Sequence, residues 1–360
     1  MSYRMLKFKS LPSDWIKQVG KFDTSGYGAN RQKIADLLKD YIASNPEQAL
    51  QSSIIQSFIE SVVWSKEFLV AQYDSLPSDL IDEFVREIGG AKGYKFTEKA
   101  HSFFVELLTA KFFIDNGYQV LSAIREQGDC DLKLLKDDVE YHFEVKFKES
   151  PDIKVTRVMD YVNGKILFGS ANYLKGKKAK VTVINSSINY DALREILKEF
   201  DRGIAGSQLQ LSSKYINVEF MDDFRSHTAK SRDINVVIQE LASLFIVNYT
   251  EQALVLLICD LFINNNGHLT KLINKHERRL KEGCAEKFSG VLVWSLPFNM
   301  DADVKDIENA FKTVCQFKGV KFDLYVFLSG YQLYEDEYFC VAKAHNQVQS
   351  QQNVIYGIIN

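Results

Sequence analysis

"DLKLLKDDVEYHFEVKFK", residues 131–148, alternates apolar and polar positions on either side of a short acidic turn. A period of two is the spacing of a strand buried on one face, so the stretch predicts two strands joined as a hairpin across "KDDVE". Side chains along a strand alternate faces. His142, Glu144, Lys146 and Lys148 therefore share one face, and Tyr141, Phe143, Val145 and Phe147 the other. A pairing that sets Leu132 and Leu134 beside the Phe143 and Val145 face carries Asp131 onto the face of Glu144. The aromatic face requires burial; the charged face lies either in water or in a cleft.

Two carboxylates close together repel, and a divalent cation held by oxygen ligands is the usual relief. Magnesium suits such a place because it takes one or two carboxylates and keeps several waters. Lys146 cannot ligate a metal, but it can balance charge developing on a phosphate. The helix signal upstream, "FTEKAHSFFVELLTAKFFIDNG" (96–117), adds Glu106. On a helical wheel Glu106 shares its side with Phe103, Ala110 and Phe113. A carboxylate among aromatics is costly unless a cation or a hydrogen-bond donor meets it.

The order of these pieces resembles the PD-(D/E)xK nuclease superfamily, with its restriction-endonuclease-like fold. The resemblance lies in "FFVELLTAKFFIDNGYQV", then "GDCDL", then "FEVKFK": a glutamate-bearing helix, a strand, an aspartate and an ExK triplet. It implies that Asp131 and Glu144 are metal ligands with the backbone carbonyl of Val145, and that Lys146 is the catalytic lysine. Glu106 would bind the metal directly or through water, the metal being magnesium, with manganese as its substitute. Asp129 competes with Asp131 for its place. The helix and fourth strand that follow in the family are either "YDALREILKEF" with "YINVEF", or "LTKLINKHERRLKEG" with "GVLVWS"; the second choice implies a large insertion.

Basic residues cluster after the hairpin. Between Lys146 and Lys180 there are nine, against three acids, and Lys148, Lys175, Lys177 and Lys178 are the candidate phosphate contacts, since flexible lysines neutralise phosphates without reading sequence. The helix carrying Lys271, Lys275, Arg278, Arg279 and Lys281 tracks a backbone in the same way or is simply a solvated face. A net charge of −3 from 44 basic and 47 acidic residues excludes a wholesale basic coat, so a polyanion has to be met by a local patch.

Five scattered cysteines without CxxC spacing indicate neither a disulfide framework nor a zinc knuckle. With no signal-peptide pattern, a reducing cytoplasm is expected. "ALVLLICDLFI" (253–263) is too short to span a bilayer, so no membrane role is expected.

The 360 residues divide into a helical region over 1–92, a nuclease-like core with an insertion over 93–300, and an α/β segment over 301–360 that completes the sheet. "INVVIQELASLFIV" through "LVLLICDLFI" reads as helical. The fold class is α/β or α+β with a mixed sheet. The expected function is metal-dependent hydrolysis of phosphodiesters, DNA in preference to RNA, in restriction, repair or defence. The N-terminal helices serve self-association or a partner protein. The alternatives are a non-catalytic binding module for nucleic acid or protein on the same fold, and a helical adaptor whose charged hairpin face is solvated.

Overall fold

A computed structural model of the chain describes residues 11–50, 53–65, 71–122, 130–149, 155, 157–158, 161–162, 172–174, 177–222, 245–264, 266–284, 286–295, 300, 303–329, 338–344 and 358–359. The hairpin forms as its alternation predicts. Strand β2 (Leu132–Lys136) pairs antiparallel with β3 (Val139–Glu149), with Leu132 opposite Phe143 and Leu134 opposite Tyr141. The turn between them places both Asp137 and Asp138 at positive φ, +50° and +59°. That is the backbone of the two-residue turn whose twist matches a hairpin.

Helix α6 (Tyr94–Asp115) precedes this hairpin, with β1 (Gln119–Ser122) between them. It stops where the sequence puts Asn116 and Gly117: the Asn116 side-chain amide donates to the Phe112 carbonyl at 2.8 Å, and Gly117 takes φ +84°. Before it, α1 (Trp15–Lys21), α2 (Ala29–Ser44), α3 (Pro46–Ala49), α4 (Ser53–Trp64) and α5 (Ser78–Gly89) make the helical N-terminal part. One apolar cluster runs from these helices through α6 onto the sheet face lined by Leu132, Leu134, Phe143, Val145, Val291, Val293, Tyr325 and Phe327. The helices and the sheet thus share a core across the glycine-rich stretch at 89–93.

Among the described residues two sheets form. In the larger the strand order is β1-β2-β3-β8-β9-β10-β11, where β8 is Lys287–Ser295, β9 is Asp323–Ser329, β10 is Tyr338–Ala344 and β11 is Ile358–Ile359. Strands β3, β8 and β9 run parallel; the outer pairs are antiparallel. The strand beside β3 is therefore "GVLVWS", brought there by the helix "LTKLINKHERRLK", and "YINVEF" belongs elsewhere.

It lies in the smaller sheet, order β5-β6-β4-β7, built from β4 (Lys177–Val183), β5 (Gln210–Ser212), β6 (Ile216–Asp222) and β7 (Phe245–Tyr249) and packed with α7 (Tyr190–Ala205). Of the helical reading over 234–263, residues 234–244 lie outside the described residues, and Phe245–Tyr249 is a strand, parallel to β4. Thr250 ends it by accepting from the Ala253 amide, which starts α8 (Glu251–Ile258) instead. A short π-helical turn, Cys259–Ile263, follows.

The second face of the large sheet is covered by α8, α9 (His268–Lys281) and α10 (Val304–Lys318) over Phe288, Leu292, Trp294, Leu324, Val326 and Leu328. Gly290 sets how closely α9 approaches. A Cβ there would stand 2.8 Å from the Phe322 ring and 2.9 Å from Leu272 Cδ1. Glycine in a strand marks this kind of close contact. Gly290→Val is expected to lower stability by about 1–3 kcal/mol, the usual cost of overpacking, read as a shift in the urea midpoint. Among the described residues no helix is long and apolar enough to cross a membrane, and Cys130, Cys259, Cys284 and Cys315 are free thiols.

Candidate functional site

The charged face of β3 is not in water. It lies under α9, and Glu144 is buried there together with His142. Just before β2 the Asp131 carboxylate forms a side-chain rung to β3: Val145 N–H donates to its Oδ2 at 2.7 Å. This rung brings Asp131 beside Glu144, as the hairpin register predicts. Lys146 then stands between the two acids, its ammonium 2.6 Å from Glu144 Oε1 and 3.6 Å from Asp131 Oδ2.

Burial alone would lower the Lys146 pKa; Asp131, Glu144 and, more weakly, Glu106 outweigh it and hold the ammonium above its ordinary value. Lys146 is therefore a fixed cation at neutral pH. Glu106 contributes from α6. It is buried on α6, where Ser102 Oγ donates to its Oε1 at 3.2 Å, and its charge reaches Lys146. Lys146 thus feels all three acids singled out in the sequence, Asp131 and Glu144 more strongly than Glu106.

Two residues of the group went unpredicted. Lys275, on α9, forms a salt bridge with Glu144 Oε2, so each oxygen of that carboxylate meets an ammonium. One helical turn on, Arg279 is buried and donates to His142 Nδ1 at 2.8 Å and to Glu286 Oε2 at 3.0 Å. Arginine only donates, so His142 Nδ1 accepts, and the ring proton sits on Nε2, 2.6 Å from Glu140 Oε1. The solvated-face reading of this helix is thus corrected at Lys275 and Arg279. The signal was present: His268, Leu272, Lys275 and Arg279 recur at the i, i+4, i+7, i+11 spacing of a single helix face.

At the start of α9, His268 is pulled down to about 4 by burial and by Lys271, Lys148 and Lys146. It stays a neutral imidazole beside three lysines. Cys130, preceding Asp131, is pushed up to about 11, chiefly by burial, and is no nucleophile.

Of the remaining sequence candidates, Lys148 is on β3, part-buried and near His268. Lys177 pairs with Asp222 at 2.6 Å, and Lys178 is next to it on β4, in the smaller sheet. Lys175 and Asp129 lie outside the described residues.

Among the described residues no three His, Cys, Asp or Glu side chains are gathered closely enough to hold a metal ion. The donors nevertheless fit magnesium in kind. Asp131 and Glu144 offer hard carboxylate oxygens that already converge on the positive charge of Lys146, and magnesium needs only one or two carboxylates when substrate phosphate and water complete its shell. Comparison of the chain with family models, with curated proteins and with solved structures returned no match.

Proposed function

We propose that the protein is a metal-dependent nuclease of the PD-(D/E)xK kind, with DNA as the first substrate to consider. The observation that carries this reading is the ammonium of Lys146 held between Asp131, just before β2, and Glu144 on β3, with a buried glutamate acting on it from the preceding helix. The order helix, three antiparallel strands, helix, and a fourth strand parallel to the third supports a restriction-endonuclease-like core, β4 to α8 being the insertion.

Asp131, Glu144 and the Val145 carbonyl would hold the metal, and Glu106 would join them through water. A magnesium ion bound there would supply Lewis-acid polarisation of a phosphoryl oxygen. Lys146 supplies the second positive charge. Its ammonium donates hydrogen bonds to the phosphoryl oxygens as charge builds on them. The cover of α9 lowers the local dielectric, which strengthens that contact.

The pairing of both Glu144 oxygens with lysines favours a second reading, an ion-pair network that ties α9 to β3 in a non-catalytic binding module. Incubation of the full chain with supercoiled plasmid separates the two. The nuclease nicks or linearises it with magnesium or manganese and not with chelator. Salt-sensitive binding without cleavage supports the module and overturns the nuclease.

A further inference from the structure

The residues of the nuclease chemistry leave Lys275 without a role, yet its placement is built. It reaches Glu144 from 131 residues further along the chain. Its side chain is only 15% exposed, and that of Glu144 9%. Arg279, four residues on, is held by His142, two residues before Glu144 on the same strand face. An i, i+4 pair on the helix thus docks on an i, i+2 pair on the strand, and Gly290 beside Glu144 lets Leu272 seat the helix between them.

We propose that Lys275 is a tethered cation that competes with the divalent ion for Glu144 and yields that oxygen when a substrate phosphate draws its ammonium away. The inference rests on the nuclease reading and adds regulation to the same site. A carboxylate oxygen that accepts a charge-assisted hydrogen bond is closed to a metal until that bond breaks. A competitor carried on the same chain acts at high effective concentration, whatever the protein concentration. Lysine suits this role because it is a point charge on a flexible stem, and phosphate is a natural second partner for it. Metal and phosphodiester binding are then positively coupled, each favouring the state in which Lys275 has left Glu144.

Titration of the full chain with Mn2+, without nucleic acid and followed by the electron paramagnetic resonance of the free ion, tests this. Lys275→Met is expected to bind Mn2+ about tenfold tighter than the unmodified chain, the size set by one charge-assisted hydrogen bond that the metal no longer has to break, and Lys275→Arg to remain weak. Lys275→Gln carries the same expectation should the methionine variant not fold. Equal affinity with and without the Lys275 charge overturns the competition and leaves the nuclease reading standing. Absence of Mn2+ binding in every variant overturns both.

Discussion

Lys146→Met is expected to lose about 10²–10³-fold of magnesium-dependent cleavage, the usual loss on removing one positioned donor to developing charge. The fold is expected to hold, because Glu144 keeps the Lys275 salt bridge and Asp131 keeps the Val145 amide. Circular dichroism and a urea midpoint check that half, and plasmid nicking rates check the other. Loss of cleavage together with loss of the fold would make Lys146 a structural ion pair. Unchanged cleavage would remove it from the chemistry. The pH dependence of stability in the metal-free chain follows from the same contacts. The neighbouring carboxylates raise the Lys146 pKa, so its charge, and the stability the charge contributes, is present below its ordinary value and lost only as pH rises through the higher folded one.

Phe113→Ala is expected to cost about 3–5 kcal/mol, a large part of the about 5–15 kcal/mol by which a domain is stable. Phe113 is fully buried where α6 lands on the sheet, with ring centroids 4.2 Å from Phe143, 4.9 Å from Tyr325 and 5.1 Å from Tyr118. These neighbours come from three different parts of the fold, so none can close the void alone. The loss appears as a lower urea midpoint at constant slope. Two turns earlier on the same helix stands Glu106, so the variant also loosens the seat of that carboxylate. Phe317→Ser, at a ring 79% exposed on α10, is the control and is expected to change stability by about 0.5 kcal/mol or less.

The hairpin was legible from residues 131–148 because a one-residue slip in register would have turned every aromatic to the wrong face. That constraint places Asp131 beside Glu144. The role of "GVLVWS" was not legible, because two helix–strand pairs follow the hairpin and both carry the right periodicity. The parallel pairing of Glu144 with Gly290 depends on tertiary packing that a local pattern does not hold. Lys275 was hidden for the same reason. A basic residue on an amphipathic helix looks solvated until the strand beneath it is known, and the strand's partner acid is 131 residues away. The strand at Phe245–Tyr249 was misread because a short apolar run alone does not distinguish a strand from a helix segment, and only the Thr250 cap separates it from α8.

Anomalous scattering from crystals grown with Mn2+ and a short phosphodiester tests the site most directly. The expected result is one manganese peak within ligand distance of both Asp131 and Glu144, with Lys275 moved off Glu144 Oε2. A structure at saturating manganese in which Glu144 still holds both lysines, and no peak lies beside Asp131, would show an ion-pair tie in place of a metal centre.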